Sequence, residues 1–460
     1  MPYRITCIII FLSLTSVLEA QSVLVDSLPV VEVIDLRTTG KGGTSCGVTT
    51  TTLGLPPTDP LSDLLSSESN VYIKSYGLGS LATSSLRGGS AGQTAVLWNG
   101  LPIENPMLGL LDLSQLPASF FSEMKIFPGG QSAGWGSGAV AGVIALNNDP
   151  AQYSQIGLTL VGGQFDYRSL NAKVALQDSS GRWQSVTRLL NTSADNDFNY
   201  RLREDLPVKK QVNADYQQSG IMQEIYFRPS QRETFSLQLW GQTTDRNLPP
   251  TTVQNFSEAS QEDDLVRVSL GWKRTGKLHH FKSTAGLFRE TIDYRDPLNT
   301  LRSVSHFWRA ALEVEDQFYI SDNHRFSSGL SGQWIEAETP AYEYSQTQLR
   351  LAPWIAYRYS FKNGNAQVNL RQETVDGRFL PLIPSITLRA DPLKNTTLTA
   401  KVSRNYRLPT LNDLYWVPGG NPNIEPESGW SQEVGLSYAS NLRRGAVTLS
   451  ATGYHRFLNN

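Results

Sequence analysis

The sequence predicts a mainly β protein: a small N-terminal α+β domain followed by an antiparallel transmembrane β-barrel. Three observations carry this expectation. Among 460 residues, hydrophobic types make up 39% and charged types only 18%, with 37 glycines, 18 tyrosines and 17 phenylalanines against 4 methionines. That balance suits strands better than helices. From Gln155 onward, segments of roughly ten to fifteen residues alternate apolar and polar positions, the period of a strand with two unlike faces. The connections between those segments alternate as well, tight turns with long polar loops, which is the pattern of a membrane barrel with two different rims.

Taken in chain order, the opening "MPYRITCIIIFLSLTSVLEAQS" has one basic residue, Arg4, an apolar core from Ile5 to Leu18, and Ala20 before Gln21. This is the layout of a secretory signal peptide, residues 1–20, and it is too short to anchor in a membrane. Cleavage removes Cys7 and leaves Cys46 as the one cysteine, which excludes an intrachain disulfide framework or a cysteine-based metal site. No other run approaches the roughly 18 apolar residues of a helical span, so any crossing is made by strands. Residues 21–60 read as an arm: the β-prone "PVVEVIDL", Pro29 to Leu36, precedes a Thr/Gly/Ser-rich stretch without strand or helix period.

Residues 61–150 read as one compact mixed domain. "LSDLLSSESNVYIKSY" opens on a short helical pattern and closes in a strand-like run. Glycine-punctuated short strands follow, including "TAVLWNGLPI" and "SEMKIF". Next comes "PGGQSAGWGSGAVAGVIALNN", Pro128 to Asn148, dense in glycine. A dinucleotide-binding loop needs such glycines to open a helix, but here a β-branched run follows, so the phosphate reading fails on context.

Residues 151–460 read as the barrel. "SLQLW", "VRVSLGW" and "AVTLSATGYH" have the period of two. Turn chemistry lies near residues 179, 230, 275, 322, 363, 392 and 443. Long polar connections lie at Ala194–Asn213, Thr244–Asp263, Asp293–Val304, Ala337–Gln346 and Leu408–Gly429. A short link around Asp376 is the weak point of the alternation. Aromatics cluster near strand ends, where membrane interfaces would lie. A soluble propeller is disfavoured because no period of ~40 to 50 residues recurs. About fifteen strands fit between Gln155 and Phe457. An odd, outward-running last strand is expected not to close a ring, so about seven further strands beyond the present end are expected, for the 22 of outer-membrane transporters.

Charge and residue chemistry exclude several functions. With 40 Lys and Arg against 42 Asp and Glu, the net charge is -2, which gives no electrostatic case for nucleic acid. The five histidines, at 279, 280, 306, 324 and 455, show no metal-site spacing. No nucleophile elbow or phosphate loop stands out, so neither an enzyme, a metal centre nor a cofactor is expected.

The stretch from Leu61 to Asn148 resembles the plug domain of TonB-dependent outer-membrane receptors. Matching elements are "SLRGG" (Ser85 to Gly89), "AVLWNGLPI" (Ala95 to Ile103), "DLSQLP" (Asp112 to Pro117) and the glycine run at 134 to 142. "SRNYRLPTLNDLYWVPGGNPNIEPESGWSQEVGLSY", Ser403 to Tyr438, is similar to a barrel segment of the same family. The resemblance implies a plug folded inside a 22-strand barrel in the outer membrane of a Gram-negative bacterium. It further implies import of a scarce ligand, driven by an inner-membrane TonB protein that grips an N-terminal box. By position the box is Val30, Val31, Glu32, Val33, Ile34, Asp35 and Leu36, an extended segment able to add to a partner's strand edge. Gly88, Asn99, Gly100, Gly129, Gly130, Gly134, Gly136, Gly138 and Gly142 form the plug signature. Pro128 departs from the family, standing where an arginine is usual. Arg87 remains, and Glu433 matches a barrel glutamate that often pairs with plug arginines, so the two are candidates for a plug-to-wall lock. "LWNGLPI" with "PMLG" and "DLS" is similar to the cobalamin-receptor-like branch of Bacteroidetes-type bacteria, which implies cobalamin or a related corrinoid as ligand. A ferric siderophore or haem is the alternative, and a non-transporting surface-binding barrel is the alternative of another class. The partners implied are TonB, the small-molecule ligand, outer-membrane lipid and, as a further option, a surface lipoprotein.

Overall fold

The computed structural model describes residues 46–49 and 60–459, apart from 152, 202, 252, 443 and 444. The expected signal peptide and the box at 30–36 lie outside the described residues. No helix among the described residues is long and apolar enough to cross a membrane.

The N-terminal domain is a five-stranded sheet with small additions. Its elements are β1 (Cys46–Thr49), α1 (Leu61–Glu68), β2 (Tyr72–Ser75), β3 (Ala82–Ser85), β4 (Thr94–Trp98), β5 (Leu101–Pro102), β6 (Glu123–Pro128), α2 (Ser132–Trp135) and β7 (Gly142–Asn147). The sheet order is β1-β6-β7-β4-β5, while β2 and β3 form a separate hairpin. Only β4 and β7 run parallel, and β7 is buried along nearly its whole length, as parallel strands covered on both faces are. The link from β4 to β5 is the two-residue turn Asn99-Gly100, with φ of 52° and 92°, the chemistry that primed hairpin turns require.

The second domain is a ring of strands: β8 (Gln155–Gly162), β9 (Arg168–Gln177), β10 (Trp183–Ala194), β11 (Asn199–Tyr200), β12 (Lys209–Lys210), β13 (Tyr216–Ser230), β14 (Glu233–Asn247), β15 (Ser260–Thr275), β16 (His279–Asp296), β17 (Leu301–Tyr319), β18 (His324–Glu338), β19 (Gln346–Phe361), β20 (Gly364–Arg371), β21 (Thr374–Val375), β22 (Arg378–Phe379), β23 (Ile383–Leu393), β24 (Thr396–Arg407), β25 (Glu427–Leu442) and β26 (Gly445–Asn459). A short helix, α3 (Leu411–Tyr415), lies in the connection after β24. The hairpin β11–β12 stands apart in a long loop. Setting aside the two-residue strands β21 and β22, fifteen strands cross the wall.

Three expectations change here. The sheet closes at fifteen crossing strands, with β26 adjoining β8. Strands in an antiparallel meander alternate in direction, so the first and fifteenth run the same way, and a same-direction neighbour still supplies partners to the edge. The second concerns Asp376. Asp376 and Gly377, with φ of 50° and 79°, form the turn of the small β21–β22 hairpin, which rides within the connection between β20 and β23. The short link is thus part of a long-rim loop and keeps the alternation. Two connections on that rim are tight: the β8–β9 link, residues 163–167, and the β16–β17 link, residues 297–300, where the long connection expected over Asp293–Val304 is replaced by strands that run on to Asp296 and start again at Leu301.

Along each crossing strand the two faces differ. In β14, Gln238, Trp240, Gln242, Thr244 and Arg246 are buried against the inner domain, while Phe235 and Leu239 face outward. In β15, Arg267 and Ser269 point in, and Val266 and Leu270 point out. Near the short-turn rim, Trp183, Phe227, Phe235 and Trp272 are cross-strand neighbours with ring centroids 4.3, 6.4 and 5.9 Å apart. An outward aromatic row near the strand ends is the arrangement that an interface girdle requires.

The inner domain fills the ring. Its core, with Leu61, Leu65, Trp98, Leu101, Phe120, Phe121 and Leu146, continues into Met222, Trp240 and Phe288 of the wall. The Trp240 ring lies 5.5 Å from Trp98, 6.0 Å from Phe120 and 5.6 Å from Phe121, all edge-on, the geometry aromatic quadrupoles prefer. The Arg267 guanidinium sits 4.6 Å over the same ring. The Trp98 indole N–H donates to Asn148 at 2.8 Å, so the aromatic cluster buries no unsatisfied donor there.

Candidate functional site

The sites of interest are the seams between the inner domain and the wall. Arg87 stands in the turn after β3 with φ 48°, followed by Gly88 at φ 72°, so the backbone reverses and projects its side chain at the wall. Glu433 is an inward position of β25. The Arg87 Nη1 and Glu433 Oε2 are 2.6 Å apart, and their side chains are 14% and 9% exposed. Lys401 is the cross-strand partner of Glu433 on β24, and the Tyr454 ring lies 5.1 Å from the guanidinium. The carboxylate is therefore held between two cations, and the arginine between carboxylate and aromatic face.

Gly129 and Gly130 permit this approach. A Cβ on Gly129, at φ 84°, would collide with the Glu433 Oε1 and come within 2.7 Å of the Arg87 Nη1. A Cβ on Gly130 would strike the side chains of Asn405, Ser431 and Ser403. These two glycines bring backbone against the wall where no side chain fits. The other signature residues are placed as follows: Asn99 donates to Gln238 of the wall at 2.7 Å, Gly134 lies within α2, and Gly142 packs its backbone against Leu86 and Phe127. The four-residue helix α2 inside the glycine run is a feature the strand-based reading does not contain.

A second seam escapes sequence reasoning. Asp112 caps the short turn Leu113–Gln115, accepting from the Ser114 N–H at 3.1 Å, and it also accepts from the Ala82 N–H at 2.9 Å. Arg246 of β14 donates to the same carboxylate at 2.7 Å and lies 3.3 Å from Asp263 of β15. Gln115 closes the network by donating to Asp263 at 2.9 Å. The third seam pairs Arg188 with Glu224 at 2.7 Å, while Arg188 also donates to the Ser119 carbonyl at 3.1 Å. The sequence marks "DLSQLP" only as an element of the resemblance; Arg246 lies 134 residues from Asp112, and no local signal links them.

At the long-loop end, inner-domain residues 92–109 and 135–138 and the wall enclose a cavity of about 80 Å³. Arg309, Arg350, Arg371 and Arg407 line it, with Glu104 and Glu373. Burial pushes the Glu104 carboxyl above the usual range, against a hydrogen bond from the Val96 N–H and the nearby Arg309 charge. A separate basin of about 330 Å³ on the same rim is lined by Asp195, Asp215, Asp245 and Glu262 among others. No group of three or more metal-binding side chains occurs among the described residues.

Comparison with known proteins decides the family. A family model described as "TonB dependent receptor-like, beta-barrel" matches residues 131–460, and one described as "TonB-dependent Receptor Plug Domain" matches residues 41–143. The chain belongs to the TonB-dependent receptors. The family are outer-membrane β-barrels of Gram-negative bacteria. Among curated relatives, the vitamin B12 transporter BtuB of Photobacterium profundum is 23% identical over 84% of this chain and 62% of its own length. The BtuB of Vibrio vulnificus is 23% identical over 81% of this chain and 61% of its own. The chain thus spans about three fifths of the length of the curated relatives it matches. Among solved structures, the copper transporter OprC superposes with TM-score 0.73 at 14% identity, covering 91% of this chain and 73% of that one. A ferric enterobactin receptor of Pseudomonas aeruginosa gives TM-score 0.72 at 13% identity, covering 91% and 72%. These likenesses establish the fold of a plug in a barrel, and in this receptor the Arg87, Asp112 and Arg188 seams are contacts between plug and wall.

Proposed function

We propose that this receptor imports a scarce, large ligand across the outer membrane, and that TonB drives the step by pulling on Val30–Leu36. The observation that carries the reading is a barrel lumen filled by a plug and fixed by buried ion pairs, of which Arg87–Glu433 is one. Such a plug blocks free diffusion, so passage requires work on it. Residues 1–20 act as the export signal, 21–60 as the arm offered to TonB, 61–150 as the plug and 151–460 as the barrel, whose apolar outer face meets lipid.

Cobalamin or a related corrinoid is the proposed ligand, supported by the names of the relatives matched over most of this chain. Growth of a deletion strain on limiting cobalamin and on limiting iron chelates tests this. Loss on cobalamin alone supports the corrinoid reading; loss on iron alone transfers the proposal to a ferric siderophore or haem. Normal growth and normal uptake on both overturn the two ligand assignments and favour a surface-binding barrel.

A further inference from the structure

We propose that the short-turn rim of the barrel is a docking surface for anionic phospholipid, binding the phosphate groups of lipids such as phosphatidylglycerol in the leaflet it meets. This goes beyond the import reading and does not depend on it. Five of the short turns each expose one cation: Arg182 between β9 and β10, Arg232 between β13 and β14, Lys277 between β15 and β16, Lys362 between β19 and β20, and Lys394 between β23 and β24. None of the five forms an ion pair among the described residues. The acids of the same rim are engaged elsewhere. Asp149 lies 3.6 Å from Lys273, Glu233 3.7 Å from Arg274, Asp316 2.9 Å from the His279 ring and Asp391 3.2 Å from Arg389. Asp178 accepts the Ser180 hydroxyl and, at 2.8 Å, the Trp183 N–H inside its own turn. Asp322, between β17 and β18, is the one acid in these turns without such a partner among the described residues.

The depth of these cations is the second observation. The outward row Trp183, Phe227, Phe235 and Trp272 continues to Phe281, whose ring lies 4.8 Å from that of Trp272. Arg182 immediately precedes Trp183, Arg232 stands three residues before Phe235, and Lys362 immediately follows the exposed Phe361. Rings of this kind settle at the edge of the hydrocarbon, and long cationic side chains just beyond them lay their stems over the rings and their heads at the level of the phosphates. Each cation so placed strengthens the attraction to anionic lipid, and the pull fades within a Debye length. A soluble acidic protein would meet the same charges but has no use for the rings beside them, whereas a bilayer engages both. The opposite rim differs in sign: its largest basin is lined by more carboxylates than cations. Anionic lipid is therefore drawn to the short-turn rim and repelled from the other.

The test places the purified full chain in phosphatidylcholine vesicles that carry either brominated phosphatidylglycerol or brominated phosphatidylcholine, and reads tryptophan quenching, since Trp183 and Trp272 stand in the row beside the cations. At low salt, phosphatidylglycerol should be preferred about threefold or more. The combined variant Arg182→Gln, Arg232→Gln, Lys362→Gln and Lys394→Gln should bring the preference down to about one. Lys209→Gln with Lys210→Gln, in the β11–β12 hairpin of a long loop, should leave it unchanged. Should the combined variant fail to insert, the unaltered chain at about 0.5 M salt gives the same reading, because exposed charges are then screened and the preference must fall towards one. Equal quenching by the two lipids at low salt overturns the proposal. A preference that survives in the combined variant or at high salt also overturns it, and leaves the rim cations to a soluble acidic partner. The assay contains neither TonB nor an imported ligand, so none of these results bears on the import reading.

Discussion

At Gly129 a single hydrogen in place of a methyl group decides whether the plug can dock. Gly129→Ala both strains a positive-φ position and drives a Cβ into the Glu433 carboxylate, so it should cost about 3 kcal/mol or more of plug stability. Gly88→Ala strains a similar backbone with no atom within 4 Å of the new Cβ, and should cost only about 1 kcal/mol. Thermal unfolding of the two variants, side by side, checks the difference. Arg87→Ala leaves Glu433 buried with Lys401 across the strand but without its plug partner, and an expected loss of about 3 kcal/mol should appear as protease access to the plug. Normal plug retention and uptake in that variant would refute the lock. Glu104 adds a pH dependence. Its folded-state carboxyl titrates above the ordinary range, so the folded form holds the proton more tightly, and its contribution is largest in acid and falls as pH rises through the raised value. Glu104→Gln keeps an acceptor for the Val96 N–H and should flatten that part of the stability-against-pH curve.

At the scale of elements, the seams between plug and wall are built from short caps and long strands. The turn Leu113–Gln115 is capped by Asp112, whose carboxylate also receives Arg246 from β14. Asp112→Ala removes a cap and leaves Arg246 with Asp263 alone. It should therefore destabilise the plug more than the ~1 kcal/mol of an ordinary cap. Hydrogen exchange in residues 110–120 against the rest of the plug measures this. The strands themselves were legible in the sequence because period-two alternation is local: inward Gln238, Gln242 and Thr244 interleave with outward Phe235 and Leu239. The partners across the seams were not, since Arg246 and Arg188 look like any polar inward residue until closure of the ring brings the plug beside them. Arg87 and Glu433 could be named beforehand only through likeness to a family.

At the scale of the whole molecule, the two faces of the barrel wall impose opposite demands. Leu270→Arg, on the outward face of β15, should cost about 2–4 kcal/mol if it lies near the bilayer midplane, and refolding into vesicles measures it. The sequence by itself determined the class of structure, most of the alternation of rims and the small glycine-rich domain, because each is written in neighbouring residues or in a fixed period. Only the tertiary structure decided that the fifteenth strand adjoins the first, that Asp376 belongs to a hairpin on the long-loop rim, and that four arginines from four strands converge over the plug. Those outcomes depend on which distant strands become neighbours when the sheet curls shut, and no local pattern encodes that distance.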